Sequence, residues 1–162
     1  MFEAAGGTVA DNCGVDNSSF EWVSDSDDGN SCPKLITRVY RIADNCGNYI
    51  SVSQSITIDD TQSPTVSGSL DATTVEGCDA ADAPAAETTV AGLEALAGGV
   101  QIADNCSADA DLTVSSSEVS SGSCPVEVRR TYTITDGCGN SVTLLHTIYV
   151  DDSTAPVVTG TL

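Results

Sequence analysis

Seven cysteines, at positions 13, 32, 46, 78, 106, 124 and 138, are the most reactive side chains in this sequence. No two have the CxxC spacing of a zinc or thioredoxin-type site, and the single histidine, His146, excludes a Cys/His metal cluster. Widely separated cysteines in a polar, Ser/Thr-rich chain point instead to disulfides and an oxidising compartment. Carboxylates are the second chemistry. Asp59-Asp60 and Asp151-Asp152 each stand a few residues before a proline, Pro64 or Pro156. Hard oxygen ligands grouped there suit Ca2+, while a solvated acidic turn is the competing reading. Asp25-Ser26-Asp27-Asp28-Gly29-Asn30 resembles an EF-hand fragment only superficially. Aligning Gly29 with the loop's glycine puts Ser24 and Ser26 where acids are needed, so the match fails. No Ser/His/Asp set, paired-carboxylate cleft, phosphate-cradling glycine loop or reactive-thiol motif is present, and the expectation is a protein that is not an enzyme.

Composition narrows the partners. The net charge is -19 with only five basic residues. Such a chain is poorly suited to nucleic-acid phosphates or an anionic membrane surface. Acidity of this kind keeps a long extracellular protein soluble. Aromatics are only 4% of residues, so a small domain built from this chain buries little apolar area and needs covalent help. No stretch approaches the ~20 apolar residues of a membrane span. The opening Met1-Phe2-Glu3-Ala4-Ala5 lacks the regions of a signal peptide. Disulfides without an export signal suggest a piece of a longer precursor.

The elements that position these residues come from an internal repeat. Ser31-Cys32-Pro33 through Asp44-Asn45-Cys46-Gly47-Asn48 matches Ser123-Cys124-Pro125 through Asp136-Gly137-Cys138-Gly139-Asn140 at an offset of 92. The match continues through Asp59-Asp60 against Asp151-Asp152, and Pro64 against Pro156. Ala10-Asp11-Asn12-Cys13 matches Ala103-Asp104-Asn105-Cys106 one residue out of step. The period divides the chain into an incomplete repeat (1–62), a complete one (63–154) and the start of a third (155–162). Each full repeat then holds four cysteines, and the odd count follows because the first repeat lacks the counterpart of Cys78.

Alternation predicts the strands. In 126–136, Val126, Val128, Arg130, Tyr132 and Ile134 share one face; in 141–151, Val142, Leu144, His146, Ile148 and Val150 do so. A Cys-Gly-Asn turn joins these two. Residues 65–76 read as an opening strand, 99–104 as another, and Leu112–Ser116 and Phe20–Ser24 as a shorter equivalent pair. Thr88–Gly98 has a Thr cap, an apolar stripe and a terminal Gly, predicting a short helix. The fold class is therefore all-β: tandem immunoglobulin-like β-sandwich repeats of about 92 residues, with disulfides and one short helix per repeat. His146 is replaced by Gln54 in the first repeat, which reads as a structural polar position. Arg38 and Arg130 recur beside Tyr40 and Tyr132 and are expected to pair with a carboxylate or carbonyl near the sheet edge.

Strand direction chooses the cysteine pairing. The first and last strands of a repeat run the same way, which puts Cys78 and Cys124 at one pole and Cys106 and Cys138 at the other. A strand of ~10 residues spans about 33 Å, so Cys124 and Cys138 exceed the ~7 Å Cα limit for a bridge. The expected bridges are Cys13–Cys46, Cys106–Cys138 and Cys78–Cys124, with the partner of Cys32 outside the chain or in a neighbouring one.

The Ala-Asp-Asn-Cys motif (10–13, 103–106), the Cys-Pro…Arg-x-Tyr…Asp-x-Cys-Gly-Asn run (32–48, 124–140) and the Asp-Asp-(Ser/Thr)-x-x-Pro strand end (59–64, 151–156) span nearly the whole chain. Together they resemble the HYR-like immunoglobulin-fold repeats of large bacterial surface and gliding-motility adhesins. The resemblance implies an extracellular stalk or filament whose adhesive tip lies elsewhere. The expected function is a structural module contacting adjacent repeats of the same protein, and donor-strand contact with neighbouring copies is a further expectation. The alternative is a carbohydrate- or protein-binding adhesion module using loops 14–31 and 107–122.

Overall fold

The computed structural model describes residues 8–160. The chain divides into two compact units, the first ending at Asp60 and the second beginning at Thr61.

The first unit is a three-stranded antiparallel sheet of β1 (Val15–Asp27), β2 (Lys34–Asp44) and β3 (Tyr49–Ile58), with β2 central. β2 and β3 pair without interruption, Tyr40 opposite Val52 and Ile42 opposite Ile50. β1 is irregular against β2, with register shifts between Asp16 and Glu21 and between Trp22 and Ser24. Phe20, which lies within the first of those shifts, stacks on Tyr40 with ring centroids 5.2 Å apart. No described residue of this unit is fully buried.

The second unit is a sandwich of two sheets. β4 (Thr65–Ser67) pairs with β6 (Gln101–Ala103), while β5 (Thr73–Glu76), β9 (Ser141–Asp151), β8 (Val126–Thr135) and β7 (Thr113–Gly122) form the other sheet in that order. The opening strand expected over 65–76 is thus two strands that change sheets. Gly68, at φ +80, makes the break. Gly98 lets the returning chain pass close, since a Cβ there would sit 2.1 Å from the Ser69 carbonyl oxygen. β5 then runs parallel to β9, Glu76 opposite Asp151, which is the common direction expected for the first and last strands.

Helix α1 (Val90–Ala95) starts at Thr89, whose side chain accepts a hydrogen bond from Gly92 N. It buries Val90 and Leu93 against Val100, Ile102, Leu112, Tyr132, Ile134 and Leu144. A smaller cluster of Val126, Val128, Ile148 and Val150 packs with Val75, Ala80 and Ala83 at the other end of the β8–β9 hairpin. The inward residues of β8 and β9 are those that alternation selects, because a period of two puts one side of each strand against the opposite layer.

Candidate functional site

The residues the repeat preserves are used in turns, at strand ends and between paired side chains. Asp44 and Asp136 perform the same task in the two Cys-Gly-Asn hairpins. One oxygen of Asp44 accepts from the backbone N–H of Cys46 and Asn48, both at 2.8 Å, and the other accepts from Asn48 Nδ2 at 2.7 Å. Asp136 accepts from Cys138 N, Asn140 N and Asn140 Nδ2 in the same pattern. Gly47 and Gly139 take the positive φ at the turn. The hydrogen bond from the Asn48 side chain, backed by those from the loop amides, holds the Asp44 carboxyl below its ordinary range despite some desolvation. At Asp136 burial pushes upward, and the bonds from Asn140 and Cys138 outweigh it. Asp11 and Asp104 make the matching turn upstream: Asp11 accepts from Cys13 N at 2.7 Å, and Asp104 from Cys106 N and Ser107 N at 2.9 and 2.7 Å. These aspartates orient the cysteines that follow them.

The cysteines fall at strand ends. In the first unit Val15 lies opposite Asp44, Asn45 N donates to Gly14 O, and Asn45 Nδ2 donates to Cys13 O. Continuing that register places Cys13 opposite Cys46, and both thiols are exposed and reduced. In the second unit, Cys78 follows the end of β5, where Gly77 N donates to Asp151 O. Cys124 precedes β8, and its thiol donates to Asp151 Oδ1 at 3.5 Å. The two therefore flank the same residue of β9, again with exposed thiols. Asp82 caps this pole, accepting from Cys78 N and Asp79 N. Those two amides hold its carboxyl low. At the opposite pole Gly137 N donates to Ser107 Oγ, bringing the segments of Cys106 and Cys138 together. Cys32 and Cys138 are both in the disulfide state. The Cys-Pro bond that opens the main strand is cis in both units.

The recurrent arginines meet carboxylates. Arg38 forks onto Asp25 at 2.8 and 2.7 Å. That pairing, with a bond from Trp22 Nε1, lowers Asp25 to about 2. Arg130 is 3% exposed. Its Nε donates to Glu118 at 2.5 Å, one terminal nitrogen to the Pro84 carbonyl at 2.6 Å and the other to the Tyr132 hydroxyl at 3.4 Å. The Tyr132 hydroxyl also accepts from Glu87 N. Glu118 and Pro84 carry no sequence signal for this role, because their segments lack periodicity. Glu76 carries no such signal either: it accepts from Ser153 N, Ser153 Oγ and Thr154 Oγ1. The hydroxyls of Ser153 and Thr154 lead the causes that lower its pKa.

His146, opposite Arg130 in the β8–β9 ladder, is 4% exposed. Its Nε2 lies 2.9 Å from Thr73 Oγ1, and its Nδ1 is buried without a partner. Burial first, and the Arg130 charge second, depress its pKa below 6.5. The neutral ring is the folded form, so the unfolded chain binds a proton more readily. Stability is then complete above about 6.5 and declines as pH falls toward the lower folded value. Cooling of the melting midpoint of the second unit between about pH 7 and 5 is expected, and His146→Gln should flatten that slope. An unchanged slope in the variant would assign the acid sensitivity to other groups.

The expected calcium ligands of the second unit hold protein groups. Asp151 accepts from the Cys124 thiol, and Asp152 accepts from Thr154 N at 2.8 Å. Asp59 and Asp60 follow β3. The regions read as binding loops are mostly strand: Val15–Asp27 is β1 and Thr113–Gly122 is β7, leaving 14, 28–31 and 107–112 outside them. Their Ser- and Asp-rich sequences show no alternation because both are edge strands, largely exposed on each face. Among the described residues no helix is long and apolar enough to cross a membrane.

Sandwich, sheet-switching first strand, parallel first and last strands, and a cap helix define an immunoglobulin-like β module built on a tandem repeat. No family model matches the chain, and no curated protein or solved structure matches it either.

Proposed function

We propose that this chain is a structural module of an extracellular bacterial stalk or filament of the adhesin type, without catalysis. The observation that carries this reading is how the repeated residues are used. Asp44 and Asp136 close the hairpins, Asp11 and Asp104 shape the turns before cysteines, and Arg38 and Arg130 tie neighbouring strands together. A sequence that repeats its scaffolding residues every 92 or 93 positions, while its edge strands diverge, repeats a shape. The cysteines favour an oxidising, extracellular setting, and the charge of -19 favours solubility at high local concentration. Resemblance to HYR-like repeats supports the same reading. Electron microscopy of native material tests it: filaments or stalks with an axial spacing of one or two units are expected. Discrete globular particles would overturn it.

A further inference from the structure

The four-stranded sheet β5-β9-β8-β7 ends on two edges that differ in kind. β5 is four residues long and closes with Glu76, whose carboxylate is held by Ser153 and Thr154. β7 runs for ten residues. Its register against β8 is unbroken, from Thr113 opposite Thr135 to Gly122 opposite Val126. In an antiparallel ladder every second residue turns its N–H and C=O away from the partner strand. The outer side of β7 therefore offers a regular row of backbone donors and acceptors, and no described strand pairs there.

Native edges of this length are blunted by charge, proline or a bulge. β1, at the edge of the first unit, has such protection. Two register shifts interrupt it, and Asp16, Glu21, Asp25 and Asp27 lie along it. β7 has neither proline nor bulge. Its one charged residue, Glu118, is engaged by Arg130, whose Nε donates to it at 2.5 Å. Val114 packs against the core, whereas Val119, on the face opposite Glu118, is 71% exposed.

We propose that β7 is a self-association edge, pairing antiparallel with β7 of a second copy about a two-fold axis at Val119. Charge and symmetry select this occupant. The protein carries -19, so association is least opposed along a strip that brings no free charge to the contact. An antiparallel pair of identical strands is also self-complementary, each presenting the row of groups that it receives. Centring the axis on Val119 buries that side chain against its own copy and sets Glu118 across from Ser120 of the second copy. Centring it on Glu118 would oppose two carboxylates, which is unfavourable. The contact doubles the four-stranded sheet and closes on itself. It is lateral, and so independent of the stalk reading, which concerns the order of repeats along one chain.

Residue-resolved amide hydrogen exchange of the whole chain, at low and at near-millimolar concentration, tests the pairing. Alternate amides between 116 and 122 are expected to slow as concentration rises, while those of β1 do not change. Light scattering and native mass spectrometry, run with and without reductant so that thiol cross-links are told apart, should find dimers and no longer series. Val119→Lys changes an already exposed position, and sets an ammonium against its own copy with Arg129 of β8 on its other side. It should weaken dimerisation on the order of tenfold, with β8 amides reporting that the unit stays folded. Val119→Thr keeps an uncharged β-branched side chain and should stay within about threefold of the unaltered chain. Exchange in β7 that is independent of concentration overturns the proposal. So does protection confined to other strands, or a Val119→Lys chain that dimerises like its parent.

Discussion

Arg130→Ala is expected to destabilise the second unit by about 3 kcal/mol, since it removes a buried guanidinium that ties together three groups from different parts of the fold, the buried Tyr132 hydroxyl among them. The carbonyl of Pro84, the hydroxyl of Tyr132 and the carboxylate of Glu118 all lose a donor. Glu118 can recover water, its side chain being 39% exposed, whereas the Tyr132 side chain is fully buried. Arg130→Lys should recover less than half of the loss, because an ammonium cannot reproduce the fork that reaches three groups in different directions. The equivalent change in the first unit provides the contrast. Arg38→Ala breaks an ion pair whose side chains are 36% and 32% exposed, and exposed pairs contribute about 0–1 kcal/mol. Hydrogen exchange of β8 and β9 would measure the first effect. Fluorescence of Trp22, the only tryptophan, would follow the second. Equal losses in both units would show that burial of Arg130 has no special consequence.

Closing Cys13–Cys46 under oxidising conditions is expected to stabilise the first unit by about 4 kcal/mol in the chain-entropy model of a bridged loop. The effect is large relative to what this unit otherwise has, since none of its described residues is fully buried. Opposed residues on antiparallel strands have Cα atoms about 4.5–5.5 Å apart, which falls within the disulfide range. Cys13→Ser and Cys46→Ser should each remove the whole gain, and the double variant should lose no more than either single one. Closing Cys78–Cys124 should act similarly on the second unit. There Ala80 of the 3-10 turn Ala80–Asp82, and Ala83 just after it, pack against the core beside β8, and the turn keeps Cys78 near that pole. Denaturant midpoints with and without reductant measure the gain, and peptide mapping without reduction identifies the bonds. Reduced Cys13 and Cys46 after full oxidation would refute the first pairing.

Much of the second unit is legible in the sequence. Period-two alternation in 126–136 and 141–151 identified the buried faces of β8 and β9, because a residue pointing inward there meets the opposite sheet or α1. Thr89 and the apolar stripe after it identified the helix. The common direction of first and last strands followed from tandem geometry, and β5 parallel to β9 has that direction. Less legible were the edges. β1 and β7 owe their strand conformation to backbone pairing with β2 and β8, and side chains such as Ser115–Ser121 carry no record of it. The division of 65–76 between two sheets was hidden too, since Gly68 announces a turn without saying which sheet each half joins.

The Asp-x-Cys-Gly-Asn loops were determined by sequence alone. Their interactions lie within a few residues, where spacing dictates geometry. The roles of Arg130, His146 and Glu76 were decided only by tertiary structure. Their partners, Glu118, Pro84, Thr73 and Ser153, come from other elements, reached across sheet pairings that no local pattern encodes. The same distinction separates the two units. Their β-hairpins are alike in sequence, but burial of the apolar face is a property of the layer that covers it, and only the second unit has that layer among the described residues.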